Sequence, residues 1–478
     1  MSQKAKSSLR SRYKISFVLV ILLLIIYVIL RAYYLSFTHD ESISFKIILG
    51  DSNFVYTANN HYLNTLLMSI SNSLFGDNEL ALRLPNVLAL ILYSLGGFLI
   101  LKTSKLVWTV ILCFSVLFLN PFLLEFFALA RGYGLSIGFM FMSLFFLLKP
   151  DINSSNNSRI NNNFILSSIF SSLAVYANLG MINFSICVLA IFILKYYFLV
   201  QSKISLNKST HLVFWSILII HLIPILIAVN KLLLLKGAGE LYFGAPSFML
   251  GFNQLLSSSN YTHYSNTSIL LIVNLFMAIS FIIGIVFTIL KKRFNSPLFY
   301  LLLLIFILIL GLHIENYLFA ANFPIVRTAL FYIPLVGLYL YYLISEIYEV
   351  YPKKKMVYTL ICICISTPLL INFLSSINLS RTKSWDYDAH TKEAMILVKE
   401  ITLNQNSNST ISNHWILEPA INYYIHTLDI KLNKADREGV KNTSDFIYLL
   451  NDNPEIANYN LIKNYTDINS SLLMRNQE

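Results

Sequence analysis

Two adjacent acids, Asp40 and Glu41, follow directly on the first long apolar run, in Thr38-His39-Asp40-Glu41-Ser42. Three arginines stand where other apolar runs begin: Arg83 in ALRLPN (81–86), Arg131 in FFALARGYGLS (126–136) with Tyr133 beside it, and Arg327 in NFPIVRTALFYIP (322–334). One such charge alone reads as ordinary helix-end charge or a side chain snorkelling to the headgroups. Ionisable groups at a membrane edge are costly unless solvated or paired, and four such places invite a functional reading. Arginine presents a fork that matches phosphate, and near the interface it can hold a lipid phosphate while the lipid tail stays in the bilayer. A carboxylate beside that phosphate can take the proton of an acceptor hydroxyl as it attacks a sugar's anomeric carbon. The arginines then stabilise the charge that gathers on the leaving phosphate. One carboxylate suffices when the leaving group needs no proton, unlike ordinary glycoside hydrolysis with its pair of carboxyls. Asp40 and Glu41 are therefore the candidate catalytic acids, and Arg83, Arg131, Tyr133 and Arg327 the candidate substrate-binding groups.

The elements that would position these residues are membrane helices. Of 478 residues 56% are hydrophobic and only 12% charged, with mean hydropathy +0.63. A soluble domain carries about 25% charge, so the chain reads as a polytopic α-helical membrane protein. Apolar runs predict about eleven spans, near 15–35, 84–101, 106–121, 134–149, 163–178, 181–200, 210–230, 267–290, 297–313, 327–347 and 356–376. With the N-terminus inside, every inner connection is basic: Lys102 and Lys105, then Lys149 and Arg159, then Lys195, Lys203 and Lys208, then Lys291, Lys292 and Arg293, then Lys353, Lys354 and Lys355. Asp40, Glu41, Asp51, Asp77, Glu79, Glu125, Glu240 and Glu315 all fall outside. The basic start (Lys4 to Lys14) predicts a retained first span rather than a cleaved signal. The net charge of +11 is then orientation information in a cell membrane, with no nucleic-acid partner implied.

The first outer connection, 36–83, is apolar at helical spacing over 41–49 and 61–74, which predicts two amphipathic helices lying in the membrane interface. The Asn/Ser-rich segment 150–162 reads as an inner loop. The division falls at 1–378 for the membrane part and 379–478 for a small soluble α/β domain on the outer side. In that tail, helices are expected over 391–401 and 418–427, and strands over 410–416, 429–432, 446–450 and 458–465. Cys113, Cys187, Cys362 and Cys364 lie in apolar runs and read as small core residues.

The order of these motifs resembles the membrane glycosyltransferases of the GT-C superfamily, above all the branch of protein O-mannosyltransferases and bacterial lipid A aminoarabinose transferases (families 39 and 83). The likeness is carried by the acid pair Asp40-Glu41 after span one, by E-x-x-x-R-L-P at Glu79 to Pro85, and by A-R-x-Y at Ala130 to Tyr133. Where the family has H-P-P-L, Asn60-His61-Tyr62-Leu63 matches at His61 and Leu63. The resemblance implies that Asp40 is the catalytic acid and that Arg83 and Arg131 serve the active site or donor phosphate. It implies that Glu79 steadies the loop, and His61 and Glu79 join the substrate-binding set. It further implies an inverting transferase that takes a monosaccharide from a polyprenyl-phosphate donor, on the non-cytoplasmic face, to a glycolipid, glycan or protein acceptor.

No cofactor is expected. His39, Asp40, Glu41 and His61 could in principle ligate a divalent metal, but a hard cation prefers more oxygen ligands. The competing function is a transporter or flippase of a lipid-linked sugar. Transporters usually show internal repeats and mid-membrane charges, which are not evident here. Glu240 and His263 read as loop residues, His313 and Glu315 as cavity or interface groups, and Trp415 and Tyr423 as packed core of the tail, with His414 and Glu418 nearby.

Overall fold

The computed structural model describes residues 3–102, 104–149, 157–201, 208–261, 266–403, 408–451, 454 and 456–476. Residues 150–156 of the Asn/Ser-rich inner loop, Lys203 and His263 lie outside the described residues. Helices stand at all eleven expected places: α1 (Gln3–Tyr34), α4 (Glu79–Leu101), α5 (Val107–Phe118), α7 (Gly132–Leu147), α8 (Asn157–Ala177), α9 (Ile182–Gln201), α10 (Lys208–Gly237), α12 (Thr267–Leu290), α13 (Pro297–Phe319), α14 (Tyr332–Val350) and α15 (Lys355–Ser375). Eight helical segments among the described residues are long and apolar enough to cross a membrane, while α5 and α7 are shorter apolar helices. α4 and the segment 326–350 are mostly buried, whereas α10, α12 and α15 turn most of their surface outward. Cys364 lies on that outward surface of α15, so only Cys113, Cys187 and Cys362 are core residues as expected.

Four short helices lie in the connections that the loop charges mark as outer: α2 (His39–Ile48), α3 (Tyr62–Phe75), α6 (Pro121–Glu125) and α11 (Phe248–Ser259). α2 and α3 match the two amphipathic helices read from the sequence. α2, however, does not lie open on an interface: His39 to Phe45 are all buried. What covers it is the tail.

The tail carries α16 (Thr391–Thr402), α17 (Glu418–Thr427) and a four-stranded sheet of order β1-β2-β4-β3, with β1 (Ile411–Asn413), β2 (Phe446–Leu449), β3 (Tyr459–Tyr465) and β4 (Ser470–Arg475). β1 and β2 are parallel and the other pairs antiparallel. The strand expected over 429–432 is only a single bridge, Ser409 to Leu432, and β4 was not anticipated. α17 packs on α2, with Tyr423 stacked on Phe37 at 4.0 Å. Phe37, Phe45, Met68, Leu82 and Ala130 share one buried cluster with the tail's Tyr423, Tyr424 and Leu417. Membrane part and tail thus meet through a common core. Trp415 is not part of it: half its surface is exposed, and it meets His39 edge-on.

Candidate functional site

The R-L-P motif of α4 explains how the outer helices are tied together. Pro85 has no N–H, so the carbonyl of Ala81 one turn earlier loses its helical donor. The Ser71 hydroxyl of α3 donates to that carbonyl at 2.5 Å. Asn86 continues the link. Its amide donates to Asn64 (2.7 Å), whose own amide donates to Ala130 O (2.9 Å), and its oxygen accepts from Leu135 N (3.0 Å). The peptide before α7 is thereby fixed against α3 and α4.

Within this frame the two acids part. Glu41 is fully buried and accepts five hydrogen bonds: from Arg83 Nε (2.8 Å) and Nη2 (2.7 Å), Thr38 N and Oγ1 (both 3.0 Å), and Ala130 N (2.5 Å). Arg83 is equally saturated. Besides Glu41 it donates to the carbonyls of Ala32 (3.0 Å), Leu35 (2.8 Å) and Ser36 (2.8 Å). All five guanidinium hydrogens are used, and no donor is left to hold a phosphate. Glu79 is engaged by the tail. It accepts from the Tyr424 hydroxyl (3.1 Å) and pairs with Lys392 (2.9 Å), both on the tail.

Asp40 belongs to a different circle. Arg131 Nη2 stands 3.5 Å from its Oδ2, and Arg327 Nη2 3.7 Å. At those lengths the carboxylate is held by charge, and Oδ2 accepts no hydrogen bond. Arg131 is anchored elsewhere, through Nη1 to Asp40 O (3.1 Å), Ser44 Oγ (3.3 Å) and Asn59 O (3.0 Å). The Arg327 guanidinium lies between the rings of Phe243 (4.6 Å) and Trp385 (5.1 Å), and it meets the Tyr133 hydroxyl. Tyr133 packs edge-on against His61 at 4.8 Å. The Nε hydrogens of Arg131 and Arg327 and the Nε2 atom of His61 are buried without partners. Burial works to raise the pKa of Asp40, but Arg131 and Arg327 outweigh it and hold the carboxyl below its ordinary value. His61 goes well below its ordinary value through burial and the neighbouring Arg131.

Of the expected site residues, the structure joins Asp40, His61, Arg131, Tyr133 and Arg327 in one ring. Glu41, Arg83 and Glu79 support that ring from behind. Among the described residues no group of three or more His, Cys, Asp or Glu side chains could hold a metal ion. Glu240 accepts from Ala58 N (3.3 Å) and joins two outer connections. His313 donates to Ile309 O, and Glu315 accepts from Asn183 (2.9 Å), both away from Asp40's partners.

The segment leading into the tail supplies groups that the sequence reading did not find. The Trp385 indole interacts with the Asp40 carboxylate. Asp388 accepts from His39 N (2.7 Å), and His39 Nδ1 donates to Ile416 O (2.6 Å). Burial pushes Asp388 well above its ordinary pKa, and nearby Asp40 and Glu41 add to this. The segment is fastened by Glu125, which is fully buried. It pairs with Arg31 (3.3 Å) and accepts from Tyr261 (2.5 Å) and Lys383 N (3.0 Å). The signal was present in the composition of RTKSWDYDAH (381–390), with its Trp, Tyr and paired Asp so soon after a span, but no motif marked it.

No family model matches the sequence, and no curated protein matches it. Solved structures do match. ArnT from Cupriavidus metallidurans in the apo state is similar over 97% of this chain and 98% of that chain, with TM-score 0.56 and 11% identity. Its structure bound to undecaprenyl phosphate matches to the same extent. An oligosaccharyltransferase from Archaeoglobus fulgidus matches with TM-score 0.44 and 14% identity, over 89% of this chain and 64% of that chain. The ArnT likeness runs along nearly the whole of both chains, and the fold of this protein is therefore ArnT-like.

Proposed function

We propose that this protein is an inverting glycosyltransferase that moves a monosaccharide from a polyprenyl-phosphate donor to an acceptor hydroxyl at the outer face of the cell membrane. The observation that carries the reading is the Asp40 carboxylate, set between Arg131 and Arg327 with no hydrogen bond to Oδ2. A carboxylate so placed is ionised, has a free lone pair, and stands beside two cations that still hold unused Nε donors. The bound undecaprenyl phosphate of the ArnT structure supports a lipid phosphate as the anion those donors would receive. Basic inner connections support an inner N-terminus and an outer tail.

The step follows from these roles. The acceptor O–H gives its proton to Asp40 Oδ2 as its oxygen bonds to the anomeric carbon from the face opposite the phosphate. The bond from that carbon to the phosphate oxygen breaks, and the electron pair leaves on polyprenyl phosphate. Arg131 and Arg327 stabilise the added charge. Glu41, Arg83 and Glu79 hold the geometry and touch no substrate.

Purified protein in nanodiscs, given a panel of polyprenyl-phosphate monosaccharides and a cell-envelope extract as acceptor, tests this through release of polyprenyl phosphate. Wild type releases it and Asp40→Asn does not. General-base catalysis is typically worth about 10²–10⁴-fold. Release by Asp40→Asn at the wild-type rate would refute the base assignment. Movement of the intact lipid across a liposome membrane without release would mean a flippase.

A further inference from the structure

His61 sits in the ring with one nitrogen committed and one open. Nδ1 lies 3.2 Å from Ala177 O at the end of α8. A carbonyl only accepts, so Nδ1 carries the hydrogen, and in the neutral ring Nε2 is a bare acceptor. Nε2 is buried and meets no donor. The residue as a whole is 6% exposed.

The surroundings are built to keep it there. A Cβ on Gly132 would stand 1.9 Å from Ala177 O and 2.8 Å from His61 Cβ. Only glycine at 132 lets the carbonyl and the imidazole approach the start of α7 this closely. Tyr133 braces the ring from the side at 4.8 Å. The nearest charges are cationic, Arg131 and Arg327, and neither donates to Nε2. A buried acceptor among donors that do not reach it is an unmade hydrogen bond. Both arginines face the phosphate in the transfer reading, and in that reading His61 lies on the donor side of Asp40.

We propose that His61 Nε2 accepts a hydrogen bond from a hydroxyl of the donor sugar, so that the site selects sugars bearing a hydroxyl at that one ring position. This rests on the transfer reading for the place of the phosphate, between Arg131 and Arg327. Sites that hydrogen-bond a substrate hydroxyl discriminate strongly against analogues without it, because the protein group is then left unpaired.

The test is binding, which needs no turnover. The full chain in nanodiscs is titrated with a polyprenyl-phosphate hexose, with its single-deoxy analogues, and with bare polyprenyl phosphate. Wild type holds the hexose lipid more tightly than the bare lipid, and one deoxy analogue loses about tenfold. His61→Phe loses about the same factor on the hexose lipid and nothing further on that analogue. His61→Gln, whose amide oxygen can replace the Nε2 lone pair, recovers part of the advantage and shows that the fold survives substitution. Equal losses on sugar-linked and bare lipid would make His61 a packing residue and overturn the proposal. So would a wild type that holds both lipids equally. Sugar-lipid binding that depends on His61, in a protein that never releases polyprenyl phosphate, would instead defeat the transfer reading and leave this inference standing.

Discussion

Replacing Glu41 by Gln should unfold the outer face of this protein rather than silence its chemistry. The change removes one charge and keeps the shape. Oε1 now accepts from Arg83 Nε and Ala130 N, and Oε2 from Arg83 Nη2, Thr38 N and Thr38 Oγ1. Whichever way the amide points, its NH₂ faces at least two N–H donors with nothing to offer them. Arg83 becomes a fully buried cation with no counter-charge, left with three backbone carbonyls and the one amide oxygen as acceptors. Removing one partner of a buried pair costs about 3–5 kcal/mol. Whole-protein stabilities run about 5–15 kcal/mol, so the loss is a large share. Thermal unfolding in detergent, followed by intrinsic fluorescence, should show a Tm far below wild type for Glu41→Gln. Asp40→Asn breaks only the two long contacts at 3.5 and 3.7 Å, and its Tm should stay much nearer. A Glu41→Gln protein that melts like wild type but releases no polyprenyl phosphate would refute the division of roles argued here.

Two further outcomes follow from the same geometry. Arg327→Gln should shift the acid limb of kcat/KM upward in pH. Burial alone would raise the pKa of Asp40, and Arg131 with Arg327 pulls it below its ordinary value. The base acts deprotonated, so wild-type activity falls only as pH drops through that lowered pKa, and losing one cation moves the fall to higher pH. An acid limb that stays put would remove Arg327 from the electrostatics of Asp40. Gly132→Ala should lose stability by about 1–3 kcal/mol, since both the Ala177 carbonyl and His61 would have to give way. A Tm equal to wild type would show that the close approach is not needed.

The membrane part was legible because two signals, apolar length and the sign of loop charges, report the same architecture independently. The ring of Asp40, Arg131, Tyr133 and Arg327 was legible because each member sits at the end of an apolar run, where charge is costly. Role was less legible than place. Arg83 and Arg131 look alike in sequence, yet Arg83 spends every donor on Glu41 and three carbonyls while Arg131 keeps Nε free. The difference is made by Leu35 and Ser36, whose carbonyls are released where α1 ends, and no residue type encodes that. Trp385, Asp388 and the covering of α2 by α17 escaped notice because they are contacts between segments about 350 residues apart. Pattern and periodicity are local, and such contacts are not.

The adjacency of Asp40 and Glu41 looks at first like a pair of acids made for one reaction, and helix geometry says otherwise. Successive residues on an α-helix point about 100° apart, so neighbours in the first turn of α2 cannot converge on one atom. One must face the bundle if the other faces the ring. Both belong in that first turn, because the N-terminus of a helix favours negative charge. There Glu41 accepts from Thr38 N and Oγ1, closing the turn on itself, and reaches Ala130 N one residue before Arg131. Arg131 in turn donates to the Asp40 carbonyl. The structural acid therefore sets the backbone of the very arginine that polarises Asp40, the proposed base. An acid pair in this position is best read as a fixed support and a free base, joined by a single peptide bond so that neither can shift without the other.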